Sequence, residues 1–251
     1  MSRARTLAKT VARTVADDGR RRHPPAGGYA RGDETRSRII SAALDVFGVH
    51  GFGGASTRML AERAGVTLPA LQYYFDGKEG VYLACAEHIA ERLEAYFGPA
   101  SGAIADALAR ERPSRARLRA MLFGFSDRLA ELFLGKHELE KWVLFIIREQ
   151  AQPTPAFEVI YDRVMAPVAA TCKSLIGRLL ELPASDQKVR MRALMLVGQV
   201  VFLRTGREAA LRVLGWPDFA GNRLALVKRS LHLQIAAGLA GARRAARRRK
   251  S

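Results

Sequence analysis

The sequence predicts an all-α fold, and three observations support this class. Apolar residues recur at intervals of three and four along most of the 251 residues, as they do on the buried stripe of a helix. Glycine and proline separate these segments, and neither strand alternation nor an internal repeat competes with them. The predicted architecture is a three-helix helix-turn-helix unit with a linking helix over residues 33–97 and a helical second domain over residues 98–240. Basic segments, 1–32 and 241–251, flank the two domains.

The formal net charge of +17 is distributed unevenly along the chain. Residues 1–32 and 241–251 each carry a net +6, whereas residues 33–97 carry −3. Residues 1–32 show no helical period and are expected to form a disordered basic arm. The two basic segments are either sequence-independent contacts to phosphates or solvated tails that aid solubility, and the charge count alone does not choose between them.

Membrane, secreted and metal-dependent classes find little support. No apolar run reaches the roughly 18 residues of a membrane helix, and residues 1–32 contain no apolar region of the kind that a secretory signal needs. Two cysteines, Cys85 and Cys172, do not make a disulfide framework, so a cytoplasmic protein without membrane contact is expected. Cys85 and His88 have the spacing of a ligand pair, but without a second pair simple packing is favoured. We expect no metal and no cofactor.

The first helix is expected over residues 35–49. Its apolar positions repeat at helical spacing from Ile40 to Phe47, and Gly48 and Gly51 end it. The buried stripe of this helix is expected to cover the inner faces of the two short helices that follow.

Residues 56–75 contain two short helical patterns on either side of a glycine corner. Ser56 or Thr57 can cap the first helix, and Thr67 can cap the second, which has Pro69 in its first turn. Gly65 tolerates the left-handed conformation that ends a helix. Neither helix is long enough to be stable alone, so both must pack against their neighbours.

In a helix-turn-helix unit the second helix enters the DNA major groove. Gln72 is the one side chain here that can pair bidentately with adenine, whereas Leu71 and Phe75 are expected to face the core. The candidate reading surface consists of Leu68, Pro69, Ala70, Gln72, Tyr73 and Tyr74. An ordinary helical hairpin, in which the second helix only packs, accounts for the spacing equally well.

The linking helix is expected over residues 76–97. Asp76 and Glu79 resemble a capping box, and Gly98 and Pro99 are expected to break the helix and mark the domain boundary. Lys78 lies in the first turn, where the helix dipole disfavours a cation, and this position favours contact with a phosphate. The alternative is an ordinary exposed lysine.

Five separated segments in this region together resemble the N-terminal domain of TetR-type transcriptional regulators. They are residues 35–47, 51–52, 56–58, 64–67 and 74–79. Gln72 stands where the family most often has tyrosine, and Gly77 replaces the usual serine. The resemblance implies phosphate contacts from Thr57 and Lys78 and groove contacts from residues 67–74. With the surface named above, the expected DNA-binding residues are Thr57, Arg58, Thr67, Leu68, Pro69, Ala70, Gln72, Tyr73, Tyr74 and Lys78.

The second domain is expected to be a succession of helices. The predicted spans are residues 101–110, 114–134, 138–151, 154–182, 185–205, 208–214 and 218–239. Residues 148–161 and 196–216 resemble the CecR-like subgroup of the TetR family. This resemblance implies a homodimer that responds to a small-molecule effector.

The helix over residues 138–151 is apolar on more than one side, which predicts burial all round. Arg148 and Glu149 follow the apolar run directly. One hypothesis is a ligand pocket lined by Phe123, Trp142 and Phe145, with Arg148 as its polar anchor. The alternative is a packed core with an Arg148–Glu149 ion pair at its rim.

Two later helices carry apolar residues that could form a four-helix interface between two chains. They are Met191, Leu194, Met195, Val197, Gly198, Val201 and Phe202 on one helix and Leu224, Val227, Leu231, Leu233 and Ile235 on the other. Packing within one chain is the competing explanation.

These interpretations favour a ligand-responsive transcriptional regulator. The expected action is that of a repressor, which a small-molecule effector releases from a roughly palindromic operator in double-stranded DNA. The alternative is a sequence-independent architectural DNA-binding protein that uses its basic tails. An enzyme is not expected, because no catalytic triad order, phosphate-cradling glycine loop or metal-ligand cluster can be assembled.

Overall fold

A computed structural model describes residues 26–135 and 140–248, and every regular element in these two ranges is helical. The all-α prediction is therefore confirmed. The helices are α1 (Ala26–Gly54), α2 (Thr57–Ala64), α3 (Leu68–Phe75), α4 (Lys78–Arg110), α5 (Arg115–Leu134), α6 (Glu140–Ala151), α7 (Pro155–Ile160), α8 (Ala166–Leu180), α9 (Gln187–Thr205), α10 (Arg207–Leu214) and α11 (Asn222–Arg248). Helix α1 is kinked at Gly51, whose backbone is not helical. A π-helical turn, Tyr161–Met165, joins α7 to α8.

The chain divides into two compact units, residues 1–38 and residues 39–251. The described part of the first unit, residues 26–38, is helical. The second unit contains the remainder of α1 and all later helices, and one apolar core runs through it. The functional surfaces below all lie in this second unit.

Helix α4 is the element around which residues 39–251 are organised. It packs against α3 at its start and then against α7, the π-helical turn and α8, while α9 and α11 lie against α5 and α8. Its buried side chains extend from Val81 to Ala107. At roughly 1.5–3 kcal/mol for each large apolar side chain removed from water, this stripe supplies much of the stability of α4.

Gly98 and Pro99 do not end α4, contrary to the sequence prediction. The helix continues through Pro99 to Arg110. Gly98 and Pro99 lie on the exposed side of the helix, where water can hydrate the carbonyl that loses its hydrogen bond. Phe97 and Ile104, on either side of the proline, are buried and hold both parts in one core. Packing therefore overrides the local signal for a break.

Two other helices extend beyond their predicted limits. Helix α1 begins at Ala26, so residues 26–32 are helical rather than part of a disordered arm. Helix α11 reaches Arg248 and takes in most of the predicted basic tail. Adding residues to an existing helix needs no new nucleus, so a packed helix readily extends past its last buried turn. The predictions for residues 1–25 and 249–251 lie outside the described residues.

The π-helical turn is tied to α4 by an ion pair. Arg163 donates from Nε and a terminal nitrogen to the two carboxylate oxygens of Glu94, at 2.8 and 2.6 Å. These hydrogen bonds lower the pKa of Glu94. The pair is bidentate, which fixes the orientation of both side chains.

Among the helices that the structure describes, none is both long enough and apolar enough to cross a bilayer.

Candidate DNA-reading surface and its link to the C-terminal domain

Helix α2 is fixed at both ends and along one side. The Ser56 side chain caps it by accepting a hydrogen bond from the Met59 N–H at 3.2 Å, so Ser56 rather than Thr57 is the cap. Gly65 ends it in the left-handed conformation, with φ of 62°. An ion pair of 2.7 Å between Arg63 and Asp45 joins α2 to α1. The position of α2 is thereby set by the packed first helix.

Helix α3 begins where the sequence places it. The Thr67 hydroxyl accepts a hydrogen bond from the Ala70 N–H at 3.3 Å, and Pro69 lies in the first turn. Leu71 and Phe75 are buried, as predicted, and anchor the helix. Their burial turns the opposite side of α3 outward.

The predicted reading residues lie on this outward side of α3. Thr67, Leu68, Pro69, Gln72 and Tyr73 are exposed, and the Tyr73 side chain is 84% accessible. Ala70 and Tyr74 are half-buried at its margin, and the rings of Tyr73 and Tyr74 meet edge to face with centroids 5.3 Å apart. A surface with an amide, hydroxyls and apolar groups has the chemistry needed for base edges and thymine methyls. Contact with DNA by these residues stays a prediction.

The end of α3 holds the Gln72 side chain. Asp76 adopts the left-handed conformation, with φ of 54° and ψ of 35°, and its backbone N–H donates to the Gln72 carbonyl at 2.9 Å. The Gln72 amide nitrogen in turn donates to Asp76 Oδ1 at 3.2 Å. The predicted capping box of α4 is wrong, because Gly77 is the capping residue and makes no side-chain hydrogen bond. Asp76 instead closes α3.

Lys78 has a structural role that the sequence did not reveal. Its ammonium donates to the carbonyls of Phe52 and Ala55, at 3.1 and 3.2 Å, and lies 4.4 Å from the centre of the Phe52 ring. These carbonyls, in the last turn of α1 and directly after it, explain why a cation stands in the first turn of α4. An ammonium has three hydrogens, so one remains for the predicted phosphate contact.

Two residues of α2, Thr57 and Arg58, are expected to contact DNA, and they differ in exposure. Arg58 is largely exposed and pairs only loosely with Glu62, at 3.7 Å. Thr57 is half-buried in the first turn of the same helix. A loosely paired surface arginine can exchange its partner for a phosphate at little cost.

Arg148, the expected polar anchor of the ligand pocket, contacts backbone carbonyls in this structure, and the pocket itself stays a prediction. The Arg148 guanidinium donates to the carbonyls of Gly48 and Val49 near the end of α1, at 3.0 and 3.1 Å. The three aromatic residues make separate contacts: Phe145 packs on Tyr82, Trp142 on His88, and Phe123 on His232. The carbonyls that bind Arg148 are about a hundred residues away in the sequence, so the residues next to Arg148 gave no signal for this contact.

Glu149 has a buried hydrogen-bonding role that was not predicted from the sequence. It is 1% exposed, and it accepts hydrogen bonds from the Tyr82 hydroxyl at 2.6 Å and from the Thr154 N–H and hydroxyl at 3.0 and 2.8 Å. Burial and the hydrogen bond to Glu149 raise the pKa of Tyr82. The available signal was a carboxylate in the helical turn that follows the apolar run of α6, since such groups are buried only when hydrogen-bonded.

Arg148 and Glu149 together connect the two predicted domains. Arg148 contacts α1 near its end, and Glu149 contacts Tyr82 near the start of α4. Helix α4 directly follows α3, the predicted reading helix, in the chain. Phe47, Phe52 and Phe145 surround the Tyr82 ring at centroid distances of 4.5–4.9 Å. The end of α6 is thus in direct contact with the part of the chain that positions α2 and α3.

Cys85 and His88 have separate surroundings. The Cys85 thiol is buried and faces the Ile40 carbonyl at 3.8 Å, whereas His88 meets Trp142 edge to face. Across residues 26–135 and 140–248 no group of three or more side chains is arranged to hold a metal ion.

Part of the predicted chain–chain interface is exposed. Leu194 and Phe202 on α9 and Leu233 on α11 are 68%, 62% and 68% accessible. Val227 and Leu231 are buried within the chain instead, and they were wrongly assigned to the interface because α11 has apolar residues on more than one face. Leu226 is exposed and joins the remaining set. The exposed apolar residues of α9 and α11 are Met191, Leu194, Met195, Phe202, Leu226 and Leu233.

Two family models match this chain. The model for bacterial regulatory proteins of the TetR family matches residues 39–85, and the model for the C-terminal domain of the HTH-type transcriptional dual regulator CecR matches residues 115–242. The second match covers just over half of the chain, and it includes α5 to α10 and most of α11.

Characterised relatives are also similar to the chain. The dual regulator CecR of Shigella flexneri is 30% identical over 205 residues, which are 82% of this chain and 91% of that protein. The activator FasR of Mycolicibacterium smegmatis is 35% identical over 122 residues, 47% of this chain and 52% of FasR. The regulator RutR of Escherichia coli K12 is 43% identical over 64 residues, 26% of this chain and 29% of RutR.

Solved structures share the fold at lower identity. A putative transcriptional regulator from Pseudomonas aeruginosa PAO1 superposes with a TM-score of 0.58 at 19% identity, covering 86% of this chain and 94% of that one. The regulator FadR of Bacillus subtilis, solved in complex with stearoyl-CoA, superposes with a TM-score of 0.54 at 16% identity, covering 80% and 98%.

Proposed function

The chain belongs to the TetR family of DNA-binding transcriptional regulators, in the group with a CecR-type C-terminal domain, and on this premise we propose that it acts as a homodimeric repressor. In this proposal two copies of α3 read a roughly palindromic operator, and a small molecule bound by the C-terminal domain releases the DNA. The observation that carries it is the exposed side of α3, with Gln72 and Tyr73 held outward by the buried Leu71 and Phe75.

The dimer is supported by the exposed apolar residues of α9 and α11. Large contiguous apolar surfaces are uncommon on monomers and usually mark an interface. A two-fold axis through this surface would relate the two reading helices, which then meet half-sites about one helical turn of DNA apart. An isologous contact of this kind needs only one surface, used twice.

Release by an effector is supported by the contacts of Arg148 and Glu149. An effector acts only through its different affinity for two conformations, and about 5.5 kcal/mol of difference moves an equilibrium from 1:99 to 99:1. Because α6 contacts both the end of α1 and Tyr82, a shift of α6 would change the support of α2 and α3.

The proposed direction of regulation is repression. The relatives of this chain include one dual regulator and one activator. Repression follows most directly from a protein that occupies DNA until an effector binds.

We also propose the cytoplasm as the location of this protein, because the proposed operator is chromosomal DNA.

An experiment on the full chain tests this function. Duplexes bound by the protein are selected from a random pool at physiological salt, and the selected sequences are examined for two-fold symmetry. We expect an inverted repeat, and we expect Gln72→Ala to relax one position in each half-site. A pool that stays random after selection would contradict operator reading and would favour the sequence-independent architectural alternative.

A reporter assay separates repression from activation. The selected operator is placed upstream of a reporter gene, and expression is compared with and without the protein. Lower expression in its presence supports a repressor, whereas higher expression contradicts this part of the proposal.

A further inference from the structure

The hydrogen bond between Gln72 and Asp76 changes what the Gln72 amide can read. One hydrogen of the Gln72 Nε2 group goes to Asp76 Oδ1, at 3.2 Å. The side-chain oxygen of Gln72, Oε1, lies on the other side of the amide. It is 3.8 Å from the position that a Cβ would take at Gly77. Because a carboxylate repels a carbonyl oxygen, Asp76 also prevents the amide from turning over. The orientation of the Gln72 amide is therefore set by Asp76.

The number of free hydrogen-bonding groups on Gln72 follows directly. A glutamine amide has two N–H donors and one carbonyl acceptor. With one donor engaged by Asp76, one donor and one acceptor remain. In the major groove adenine presents the complementary pair, an N6 donor and an N7 acceptor.

Guanine presents two acceptors, O6 and N7, in the same places. A glutamine with two free donors can satisfy guanine in part, because either hydrogen can reach an acceptor. A glutamine with one donor already engaged meets guanine O6 with its own carbonyl oxygen, which is repulsive. The engaged donor therefore separates adenine from guanine more sharply than Gln72 could alone.

We propose that Asp76 is a specificity-determining residue, which positions Gln72 and restricts it to adenine by occupying its second donor. The proposal rests on the proposed function, in which Gln72 reads a base. Asp76 acts through Gln72 and need not touch the base. Its carboxylate also repels nearby phosphates, so it lowers affinity for every sequence while it raises selectivity.

The backbone of Asp76 determines which variants are informative. A left-handed residue with φ of 54° strains most side chains, whereas glycine and asparagine adopt this conformation readily. Asp76→Gly removes the carboxylate and retains the turn. Asp76→Asn retains both the turn and a side-chain oxygen that can accept from Gln72 Nε2.

The test uses the full-length protein and operator duplexes from the selection described above. The operator position that Gln72→Ala relaxes is identified first. Dissociation constants are then measured for the four base pairs at that position with wild type, Asp76→Gly, Asp76→Asn and the double variant Gln72→Ala/Asp76→Gly. Circular dichroism and thermal melting establish that each variant is folded.

We expect wild type to prefer adenine to guanine by about tenfold or more, the scale of one good bidentate contact. Asp76→Gly should reduce this ratio by about fivefold, with affinity for unrelated DNA unchanged or higher. Asp76→Asn should keep most of the preference. The double variant should discriminate between adenine and guanine no less than Gln72→Ala does, because Asp76 acts through Gln72. A merely structural role would lower affinity for all duplexes and leave the ratio unchanged.

The outcomes distinguish this inference from the proposed function. If Gln72→Ala relaxes no position, base reading by Gln72 is wrong and the inference is overturned with it. If Gln72→Ala relaxes a position and folded Asp76→Gly keeps the full adenine-to-guanine ratio, the proposed function stands and the inference alone is overturned.

Discussion

The Tyr82 hydroxyl donates a hydrogen bond of 2.6 Å to the buried carboxylate of Glu149, and this contact joins the start of α4 to the end of α6. The same carboxylate accepts two hydrogen bonds from Thr154, which caps α7. Three helices therefore depend on one buried acidic group.

Replacing Glu149 should lower the stability more than replacing any one of its hydrogen-bond partners. Glu149→Ala leaves the Tyr82 hydroxyl and the Thr154 N–H without an acceptor, and we expect a loss of about 3 kcal/mol in the free energy of unfolding. Tyr82→Phe removes one hydrogen bond and should cost about 1–2 kcal/mol. Urea denaturation measures both. Gln150→Ala, an exposed neighbour, is the control, and an equal loss in that variant would contradict the assignment.

The raised pKa of Tyr82 predicts a loss of stability at alkaline pH. In the unfolded chain a tyrosine ionises near its ordinary value of 10.0, whereas in the folded chain Tyr82 keeps its proton above that pH. The unfolded state then binds fewer protons than the folded state, so the free energy of unfolding falls as pH rises above about 10. Denaturation at several pH values measures the slope. Tyr82→Phe should give a shallower slope than wild type, and identical slopes would count against this cause.

Gly51 is expected to be intolerant of any side chain. Its φ is 68°, and a Cβ there would lie 2.4 Å from a terminal nitrogen of Arg148. Gly51→Ala should therefore lower the free energy of unfolding by about 1–3 kcal/mol. Gly53→Ala is a matched control, because no atom lies within 4 Å of its Cβ position and its φ is not positive. Melting temperatures compare the two variants, and equal values would show that neither the conformation nor Arg148 constrains Gly51.

Lys78 should influence both stability and DNA affinity. Lys78→Met removes the ammonium from the carbonyls of Phe52 and Ala55, and we expect a loss of about 1–2 kcal/mol. If its third hydrogen meets a phosphate, affinity should fall by a similar factor on every sequence. The slope of log affinity against log salt should then decrease by about one. Binding titrations at four salt concentrations measure this, and an unchanged slope would leave Lys78 with its structural role only.

The exposed apolar residues of α9 and α11 should determine the oligomeric state. Leu194→Glu places a charge in the proposed interface, and we expect a folded monomer with greatly weakened operator binding. Val213→Glu changes a comparably exposed residue on α10, outside that surface, and should remain dimeric. Size-exclusion chromatography with light scattering gives the mass of each. A wild-type monomer at micromolar concentration would refute the dimer.

Local signals in the sequence predicted the helix-turn-helix structure of residues 56–75 well. The caps at Ser56 and Thr67, the corner at Gly65 and the inward positions of Leu71 and Phe75 all depend on residues within one or two helical turns. Each of these features has a side-chain type that favours it wherever it occurs. Such features are visible before any tertiary contact is known.

Features that depend on distant partners were missed. The roles of Arg148 and Glu149 depend on carbonyls and a hydroxyl 67–100 residues away in the sequence. The burial of Leu231 and the continuity of α4 through Pro99 likewise follow from packing between helices. Apolar periodicity shows that a helix has a buried side, but it does not identify what covers that side.

The unbroken course of α4 has a mechanical consequence. An α-helix of 33 residues is about 50 Å long, so tilting the whole helix by about 5° about one end displaces its other end by about 4 Å. That displacement is comparable to the spacing between neighbouring base pairs. In the proposed dimer, a tilt of α4 by a few degrees would therefore take the two copies of α3 out of register with their half-sites.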